Sequence, residues 1–137
     1  MSKASMIVDK MYDKDYFSQW LGIERLEESG GYSKLRMTVK KEMLNGFGVI
    51  HGGVTFSLAD SALAFACNSH GLHAVSIDTS ISHTRPAKEG DVLIAEAKEI
   101  SLGRSTGVYN VIVSNQDEKV VAVFKATVFR KGTEWEV

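Results

Sequence analysis

A glycine-rich loop that runs into an apolar helix holds the residues best placed to do chemistry. The stretch is LNGFGVIHGGVTFSLADSALAFACNSHG, which starts at Leu44 and carries His51 before the helix and Asp60 in its middle. A helix start offers unpaired backbone N–H groups and the positive end of the helix dipole, and both attract negative charge. A carboxylate in an apolar setting is a better base. The stretch therefore joins an anion-binding element to a candidate base.

The helix around Asp60 is apolar on almost every side. At about 100° per residue, its polar positions fall in one narrow stripe, which we call the polar seam: Ser57, Asp60, Ser61, Ala64 and Asn68. In the alternative interpretation the seam faces solvent and Asp60 serves only solubility. We favour burial on most sides, because the helix is so apolar.

The segments before this helix predict one further helix and two strands. Apolar and aromatic residues near helical spacing predict a helix over Asp9–Leu21. The segment GIERLEESGGYSKLRMTV alternates in polarity and predicts two strands around the turn Gly30–Gly31.

The long helix is predicted over residues 53–69 and is closed by Gly71, and strands follow it. The strand-like segments are HAVSIDTSISHTRP, DVLIAEAKEISLGRSTGVYNVIVSN, which must fold over near residues 102–105, and KVVAVFKATVFRK. Residues after Lys131 are expected to be loosely held. Strands around one helix predict a single α+β domain over residues 1–137, with an antiparallel sheet covering the helix.

Composition excludes several classes of partner. The net charge of −1 provides no basic excess for a nucleic acid backbone. No run approaches the roughly 18 apolar residues of a membrane span, and the N-terminus lacks the apolar core of a signal peptide. We expect a cytoplasmic protein that binds neither nucleic acid nor membrane.

The cysteine and the histidines predict no metal site. Cys67 is the only cysteine, which excludes an intrachain disulfide or a CxxC zinc site, and we interpret it as a small buried hydrophobe rather than a nucleophile. His70, His73 and His83 are interpreted as surface or strand residues, because the histidines form no metal-ligand pair such as HxxxH.

The spacing N-G-x-x-x-x-H-G-G, with an aspartate eight residues after the first glycine of HGG, resembles the hotdog-fold acyl-CoA thioesterases. It looks most like their phenylacetic-acid-degradation branch, PaaI. The likeness continues through SLADSALAFACNSHG and SHTRPAKEGD into the closing strands, so it covers essentially the whole chain. The motif residues are Asn45, Gly46, His51, Gly52, Gly53 and Asp60.

This resemblance implies a fold and an activity. The family fold is a curved antiparallel sheet wrapped around one long helix. The implied reaction is hydrolysis of an acyl-CoA to free acid and CoA without a cofactor, and aryl-acetyl-CoA or hydroxylated phenylacetyl-CoA is the expected substrate.

The resemblance also implies residue roles. Gly52 corresponds to the glycine whose backbone N–H polarises the thioester carbonyl, and Asn45 to the asparagine that supports this carbonyl. Asp60 corresponds to the acid that activates water or attacks the carbonyl itself. Ser76 matches a strand serine or threonine with which some relatives orient the water. His51 is the loop histidine beside the carbonyl, where donating a hydrogen bond as a positioning residue is favoured over general-base catalysis.

Substrate contacts are expected from the loop and from strand ends. Gly53 and Phe47 are assigned to substrate binding, and Phe47 belongs to a set that could line the acyl pocket or simply fill the core: Met43, Leu44, Phe47, Val49 and Phe56. Arg85, Lys88 and Arg104 lie at predicted strand ends or turns, where they could bind the phosphates of CoA or could simply be solvated.

Two other functional classes stay open. Hotdog dehydratases and hydratases pair a histidine with an acid, and His51 and Asp60 loosely match such a pair. A non-catalytic acyl-CoA-binding hotdog domain would not need Asp60, so the presence of this residue favours the thioesterase.

The spacing of Gly52 and Asp60 predicts a composite site. Eight residues at 1.5 Å rise per residue separate them by about 12 Å along the helix. The oxyanion donor and the group that activates water must both lie within about 3 Å of one thioester carbonyl. Two antiparallel helices around a two-fold axis meet this requirement. We therefore predict an obligate homodimer in which Gly52 and Asn45 work with Asp60 of the partner subunit. The polar seam would face this interface. The family resemblance also implies a homotetramer.

Overall fold

The computed structural model describes residues 1–137, and the elements appear in an order that places one long helix between two groups of strands. They are α1 (Lys3–Asp13), α2 (Tyr16–Trp20), β1 (Glu24–Ser29), β2 (Tyr32–Thr38), a 3₁₀ turn (Lys41–Met43), α3 (Gly52–Asn68), β3 (Leu72–His83), β4 (Val92–Leu102), β5 (Thr106–Ser114) and β6 (Val120–Glu134).

A single six-stranded sheet surrounds α3. The strand order is β1-β2-β4-β5-β6-β3, and every neighbouring pair is antiparallel. Because α3 contacts all six strands, the sheet must wrap around the helix rather than lie flat beside it. The predicted α+β architecture, with an antiparallel sheet covering one central helix, is confirmed.

Small side chains allow the helix to approach the sheet closely. Ala62 and Ala66 on α3, and Ala95 and Ala97 on β4, are all 0 % exposed. Larger side chains fill the space on either side, and the most deeply buried of them are Leu35, Met37, Leu58, Leu63, Phe65, Leu93, Tyr109 and Phe124. Strands β2, β4 and β5 alternate between buried and partly exposed residues over most of their length, so one face of the sheet forms this core. The predicted burial of α3 on most sides is confirmed.

The predicted helix over Asp9–Leu21 is wrong in its bounds, because the chain forms two helices there. Helix α1 starts earlier, where the Ser2 side chain accepts the N–H of Ser5 at 3.0 Å. It ends before Asp15, whose carboxylate accepts the N–H of Ser18 at 3.0 Å and caps α2. Aspartate and serine are strong N-capping residues, and here they outweigh the apolar periodicity.

The two predicted hairpins are confirmed. The first turns at Gly30 and Gly31, where Gly31 has a φ of +77°. This positive φ strains residues with a side chain, and a Cβ at Gly31 would also lie 2.5 Å from the Glu99 carboxylate, so glycine is favoured at this turn. The second hairpin folds over between Leu102 and Thr106.

The C-terminal residues are held in place, contrary to the expectation that the chain is loose after Lys131. Strand β6 continues to Glu134. The Trp135 N–H donates to the carbonyl of Gly71 at 2.8 Å, and the indole stacks on His73 with ring centroids 4.0 Å apart. The sequence after Lys131 is polar, so its pattern did not reveal this anchoring.

Asn68 is buried in the chain itself, so its predicted place in an interface-facing seam is wrong. It is 3 % exposed. Its Nδ2 donates to the carbonyl of Ala74 at 3.0 Å, and its Oδ1 accepts the N–H of Ala74 at 2.9 Å and the indole N–H of Trp135 at 3.0 Å. The side chain therefore ties the end of α3 to β3 and to the C-terminus.

Asn68→Ala is expected to destabilise the fold by roughly 2–4 kcal/mol. The variant leaves the buried N–H and carbonyl of Ala74 without partners, at about 1–3 kcal/mol each. Urea unfolding measures the loss. Asn110→Ala is the matched control, because the Asn110 side chain makes no hydrogen bond, and it should change stability by no more than about 0.5 kcal/mol. Equal effects of the two variants would contradict this account.

Candidate active site

The loop before α3 is closed by Asn45. The Asn45 Oδ1 accepts the N–H of Phe47 at 2.9 Å and the N–H of Val49 at 3.4 Å, while its backbone N–H donates to the Val49 carbonyl at 2.8 Å. The Nδ2 group has no partner in the chain. Asn45 therefore shapes the loop with its oxygen and keeps its amide N–H groups for a ligand.

His51 is the N-cap of α3. Its Nδ1 accepts the N–H of Gly53 at 2.9 Å, and its carbonyl accepts the N–H of Val54 at 2.9 Å. An accepting Nδ1 requires the neutral ring with its proton on Nε2. This geometry fits a positioning role. The predicted direction of the hydrogen bond to the loop backbone is reversed, because the His51 ring accepts it rather than donating it.

These contacts leave one free donor at the start of the helix, the backbone N–H of Gly52. The N–H groups of Gly53 and Val54 are taken by His51, whereas the N–H of Gly52 has no acceptor in the chain. A helix start concentrates positive potential at such a group. Gly52 and Asn45 line the same cleft, so the free N–H of Gly52 and the unpaired amide of Asn45 are the candidate donors to a developing oxyanion there.

Two further residues of this cleft were not identified from the sequence. His83, the last residue of β3, packs on Gly52, and a Cβ at Gly52 would lie 3.1 Å from the His83 Nε2. Thr55 is fully buried on the first turn of α3, and its hydroxyl lacks a partner in the chain. No local motif indicates either residue, because only the pairing of β3 with β6 brings His83 across the helix start.

Asp60 is half-buried on α3, and its carboxyl makes no hydrogen bond or ion pair within the chain. Burial raises the pKa of Asp60 above its usual value, and the charge of Asp15 raises this pKa further. The neighbouring seam hydroxyls are engaged elsewhere, since Ser57 donates to the Gly53 carbonyl at 2.7 Å and Ser61 bonds to Ser18 at 2.7 Å. Asp60 is therefore an unpaired, partly desolvated carboxylate, as a general base requires.

Gly52 and Asp60 lie on one continuous helix, so the separation of about 12 Å along its axis holds. Within one chain the free N–H of Gly52 and the carboxyl of Asp60 therefore do not meet. Ser76 lies exposed on β3, opposite Val128 of β6, and contacts neither of them.

The predicted CoA-binding arginines lie at opposite ends of the sheet. Arg85 lines the cleft with Asn45 and Gly52, and its backbone N–H donates to the Val121 carbonyl at 3.3 Å. Arg104 lies in the β4–β5 turn, where the adjacent Thr106 pairs with Phe129 of β6. Eight strand residues separate these points, which is about 26 Å. Neither arginine forms an ion pair, but only Arg85 can reach the cleft of its own chain.

The candidate acyl-pocket residues divide between core and loop. Met43 is buried in the core, and Phe56 makes an edge-on contact with Phe124 at 5.3 Å between ring centroids. Phe47 is 93 % exposed at the tip of the loop, and Val49 lines the cleft. Of this set, Phe47 and Val49 remain available to a substrate.

Cys67 is buried, and burial raises its pKa to about 12, so it is a neutral thiol as the sequence analysis expected. No three histidine, cysteine, aspartate or glutamate side chains converge as metal ligands would. None of the helices has the length and apolar character that crossing a bilayer demands.

An antiparallel sheet wrapped around one long helix is the hotdog fold of thioesterases. The chain belongs to the thioesterase superfamily, whose sequence model matches residues 47–122. The predicted family and fold are thereby confirmed.

Individual relatives extend this match to nearly the whole chain. The acyl-coenzyme A thioesterase PaaI of Escherichia coli is 42 % identical over 95 % of this chain and 93 % of PaaI. A putative esterase of Archaeoglobus fulgidus is 47 % identical over 94 % of this chain and 84 % of the esterase. The solved structure of E. coli PaaI, from the phenylacetic acid degradation operon, superposes with a TM-score of 0.94 over 96 % of both chains. A hypothetical thioesterase of Streptococcus pneumoniae, solved with coenzyme A, is 28 % identical with a TM-score of 0.86 over 91 % of this chain and 99 % of its own.

Asp60→Asn is expected to raise stability at pH 7. An acid whose pKa is higher in the folded than in the unfolded state holds its proton more tightly when folded. The folded state therefore loses stability as pH rises between these two pKa values, and the loss persists above them. Asparagine carries no charge and avoids this penalty.

Urea unfolding at pH 7 and near pH 4 measures the difference, which should shrink at the lower pH as wild-type Asp60 becomes protonated. Asp117→Asn, in an exposed turn, is the matched control and should show no such gain. A variant less stable than wild type at pH 7 would contradict the assignment.

Proposed function

We propose that this protein hydrolyses acyl-CoA thioesters to the free acid and CoA. The observation that carries the proposal is the free N–H of Gly52 in a cleft that is also lined by Asn45, whose Nδ2 has no partner in the chain. The relative in E. coli is named an acyl-coenzyme A thioesterase, and the S. pneumoniae relative was solved with coenzyme A.

Attack on a thioester carbonyl places negative charge on its oxygen. The Gly52 N–H and the Asn45 Nδ2 donate to this oxygen, and the dipole of α3 adds to the stabilisation. One such donor is typically worth about 3 kcal/mol of barrier. Because Gly52 has no side chain, the carbonyl can approach its N–H closely.

The base comes from a second subunit. Asp60 of the partner subunit either removes a proton from the attacking water or attacks the carbonyl directly, and its raised pKa strengthens it as a base. His51 fixes the loop through Gly53, so that the Gly52 N–H stays directed at the substrate.

The exposed edge of β3 supports this dimer. The other sheet edge, β1, has the sequence ERLEES, and its charges discourage edge-to-edge pairing. On β3, Val75 and Ile77 are 47 % and 61 % exposed, and neither they nor Ser76 are charged. Pairing of two β3 strands continues the sheet across the dimer and brings Ser76 to the interface, near the composite sites. Association of dimers into a homotetramer, as the family resemblance implies, stays a prediction.

The proposed substrate is aryl-acetyl-CoA or hydroxylated phenylacetyl-CoA. The support is the relative from the phenylacetic acid degradation operon, together with Phe47 and Val49, which offer apolar surface near the loop. The position of Arg85 in the cleft lining supports a role in binding a phosphate of CoA. Arg104 can do so only for the site of another subunit. The dehydratase, hydratase and binding-domain alternatives have no specific contact that favours them.

Thiol release from a panel of acyl-CoAs tests the reaction and the substrate together. Wild type should prefer aryl-acetyl-CoA to saturated long-chain acyl-CoA, and Asp60→Asn should lower kcat about 10²–10⁴-fold because the base is lost. Asp117→Asn should keep full activity. The proposal fails if wild type hydrolyses none of the panel or if Asp60→Asn is fully active.

Mixed dimers test the composite site. Gly52 is the first residue of α3, where proline is tolerated, so Gly52→Pro deletes the N–H with little damage to the helix. Gly52→Ala also adds a Cβ but keeps the N–H, and it should therefore be about 10²–10³-fold more active than Gly52→Pro.

Mixing Gly52→Pro with Asp60→Asn should restore activity, approaching one working site in each heterodimer. The working site combines Gly52 from one subunit with Asp60 of the partner subunit. Light scattering reports the size of the assembly, and differential tagging confirms that subunits have exchanged. Exchange without recovered activity would place both groups of the site in a single chain.

A further inference from the structure

An apolar groove lies beside the start of α3, between α2 and the 3₁₀ turn. Its volume is about 310 Å³, at the lower end of the range of small-molecule sites. Four of its six lining residues are hydrophobic, so it suits an apolar group; the lining consists of Trp20, Leu21, Lys40, Glu42, Met43 and Val54. The groove shares no lining residue with the cleft that contains Gly52 and Arg85, so it is a separate site.

Helix α2 lies along α3 and brings Trp20 to this groove. The buried Ser18 of α2 bonds to the Ser61 hydroxyl of α3 at 2.7 Å. Val54 and Ser61 are seven residues apart, about two turns, and therefore lie on the same face of α3. Trp20 is the last residue of α2 and lines the groove together with Val54. The indole thus forms one wall of the groove and α3 forms another.

His51 joins the groove to the free N–H of Gly52. The backbone N–H of His51 donates to the Met43 carbonyl at 2.8 Å, and its own carbonyl accepts the N–H of Val54 at 2.9 Å. Gly52 follows His51 directly. By helix geometry the Cα atoms of Gly52 and Val54 lie about 5 Å apart, on opposite sides of the helix start. A carbonyl bound to the Gly52 N–H therefore has the groove on one side and the cleft with Arg85 on the other.

The groove and the cleft differ in chemistry. The cleft offers the cation of Arg85 and the amide of Asn45, which suit the polar CoA part of a thioester. The groove has a buried apolar floor, formed by Leu21 and Met43, and an aromatic wall. The Trp20 indole is 72 % exposed, so most of its surface is available to a ligand. Aromatic rings gain by stacking on such a surface.

We propose that this groove binds the acyl group of the thioester held at Gly52, and that Trp20 is a specificity-determining residue that stacks on the ring of an aryl-acetyl group. The single methylene between ring and carbonyl lets the ring enter the groove while the carbonyl stays on the Gly52 N–H, about 5 Å from Val54. Lys40 and Glu42 are exposed and form the rim. This inference rests on the proposed function and assigns the acyl half of its substrate to a place in the fold.

Two ketone analogues of the substrate test the groove, because a methylene between sulfur and carbonyl prevents hydrolysis. S-phenylacetonyl-CoA carries the aromatic ring, and S-acetonyl-CoA lacks it. Titration calorimetry should find that wild type binds S-phenylacetonyl-CoA more tightly. Trp20→Ala should weaken this binding about 10-fold and leave the affinity for S-acetonyl-CoA unchanged. Trp20→Phe keeps an aromatic ring and should retain most of the affinity.

Tyr16→Ala is the matched control, because Tyr16 is an equally exposed aromatic residue of α2, at 73 %, and does not line the groove. It should change neither affinity. An unchanged affinity of Trp20→Ala for S-phenylacetonyl-CoA, a loss for both analogues, or an equal loss in Tyr16→Ala would overturn the proposal. Light scattering of Trp20→Ala should find the wild-type assembly; a smaller assembly would make the groove a subunit contact and would also overturn it.

Mixed dimers identify the subunit that supplies the groove. When Gly52→Pro and Asp60→Asn subunits are mixed, the Asp60→Asn subunit supplies the working Gly52. Trp20→Ala in that subunit should raise the KM for phenylacetyl-CoA with little change in kcat, and in the Gly52→Pro subunit it should have no effect. The reverse result would contradict the proposal. Binding of S-phenylacetonyl-CoA needs no turnover, so intact binding without hydrolysis would count against the proposed function alone.

Discussion

The burial of α3 inside its sheet is the constraint on which the other features depend. A helix packed against six strands has little surface left, so whatever remains accessible is confined to its first turn and to one thin seam. The alanines of α3 and β4 make this close packing possible. They also place the backbone N–H of Gly52 and the carboxyl of Asp60 on a helix packed in the core, which holds their directions.

The first turn of α3 shows how one donor is kept free while its neighbours are used. His51 takes the N–H of Gly53 with its ring and the N–H of Val54 with its carbonyl. Asn45 turns the preceding loop with its oxygen and keeps its nitrogen unpaired. Helix geometry leaves the first N–H groups unpaired; His51 satisfies those of Gly53 and Val54, and the N–H of Gly52 stays free and, because glycine is small, reachable.

In the polar seam it is an acceptor, the Asp60 carboxylate, that is left without a partner. Neither of the seam's hydroxyls bonds to Asp60, since Ser57 bonds to the helix backbone and Ser61 to Ser18 of α2. The Asp60 carboxyl has no hydrogen-bond donor in the chain. Burial, followed by the charge of Asp15, raises its pKa, which costs stability and gains basicity. Helix α2 meets the seam at Ser18, whose Oγ bonds to both Asp15 and Ser61.

Local sequence was enough to predict the strands, both hairpins, the long helix and the motif from Asn45 to Asp60. Alternation of polarity, turn glycines and helical spacing all act over a few residues. The thioesterase motif is local for the same reason, since Gly52 and Asp60 share one helix. Capping signals at Ser2 and Asp15 were also present, and apolar periodicity obscured them in the predicted helix over Asp9–Leu21.

Only the tertiary structure determines which polar groups have a hydrogen-bond partner in the chain and which are free. Helical spacing predicted that Asn68 belongs to the polar seam with Asp60. In the structure its side-chain amide instead hydrogen-bonds to β3 and to Trp135. His83 reaches Gly52 only through strand pairing, and Arg104 and Arg85 separate for the same reason. Hydrogen-bond partners far apart in sequence are chosen by packing, so a residue's type fixes its chemistry while the fold determines whether that chemistry is available.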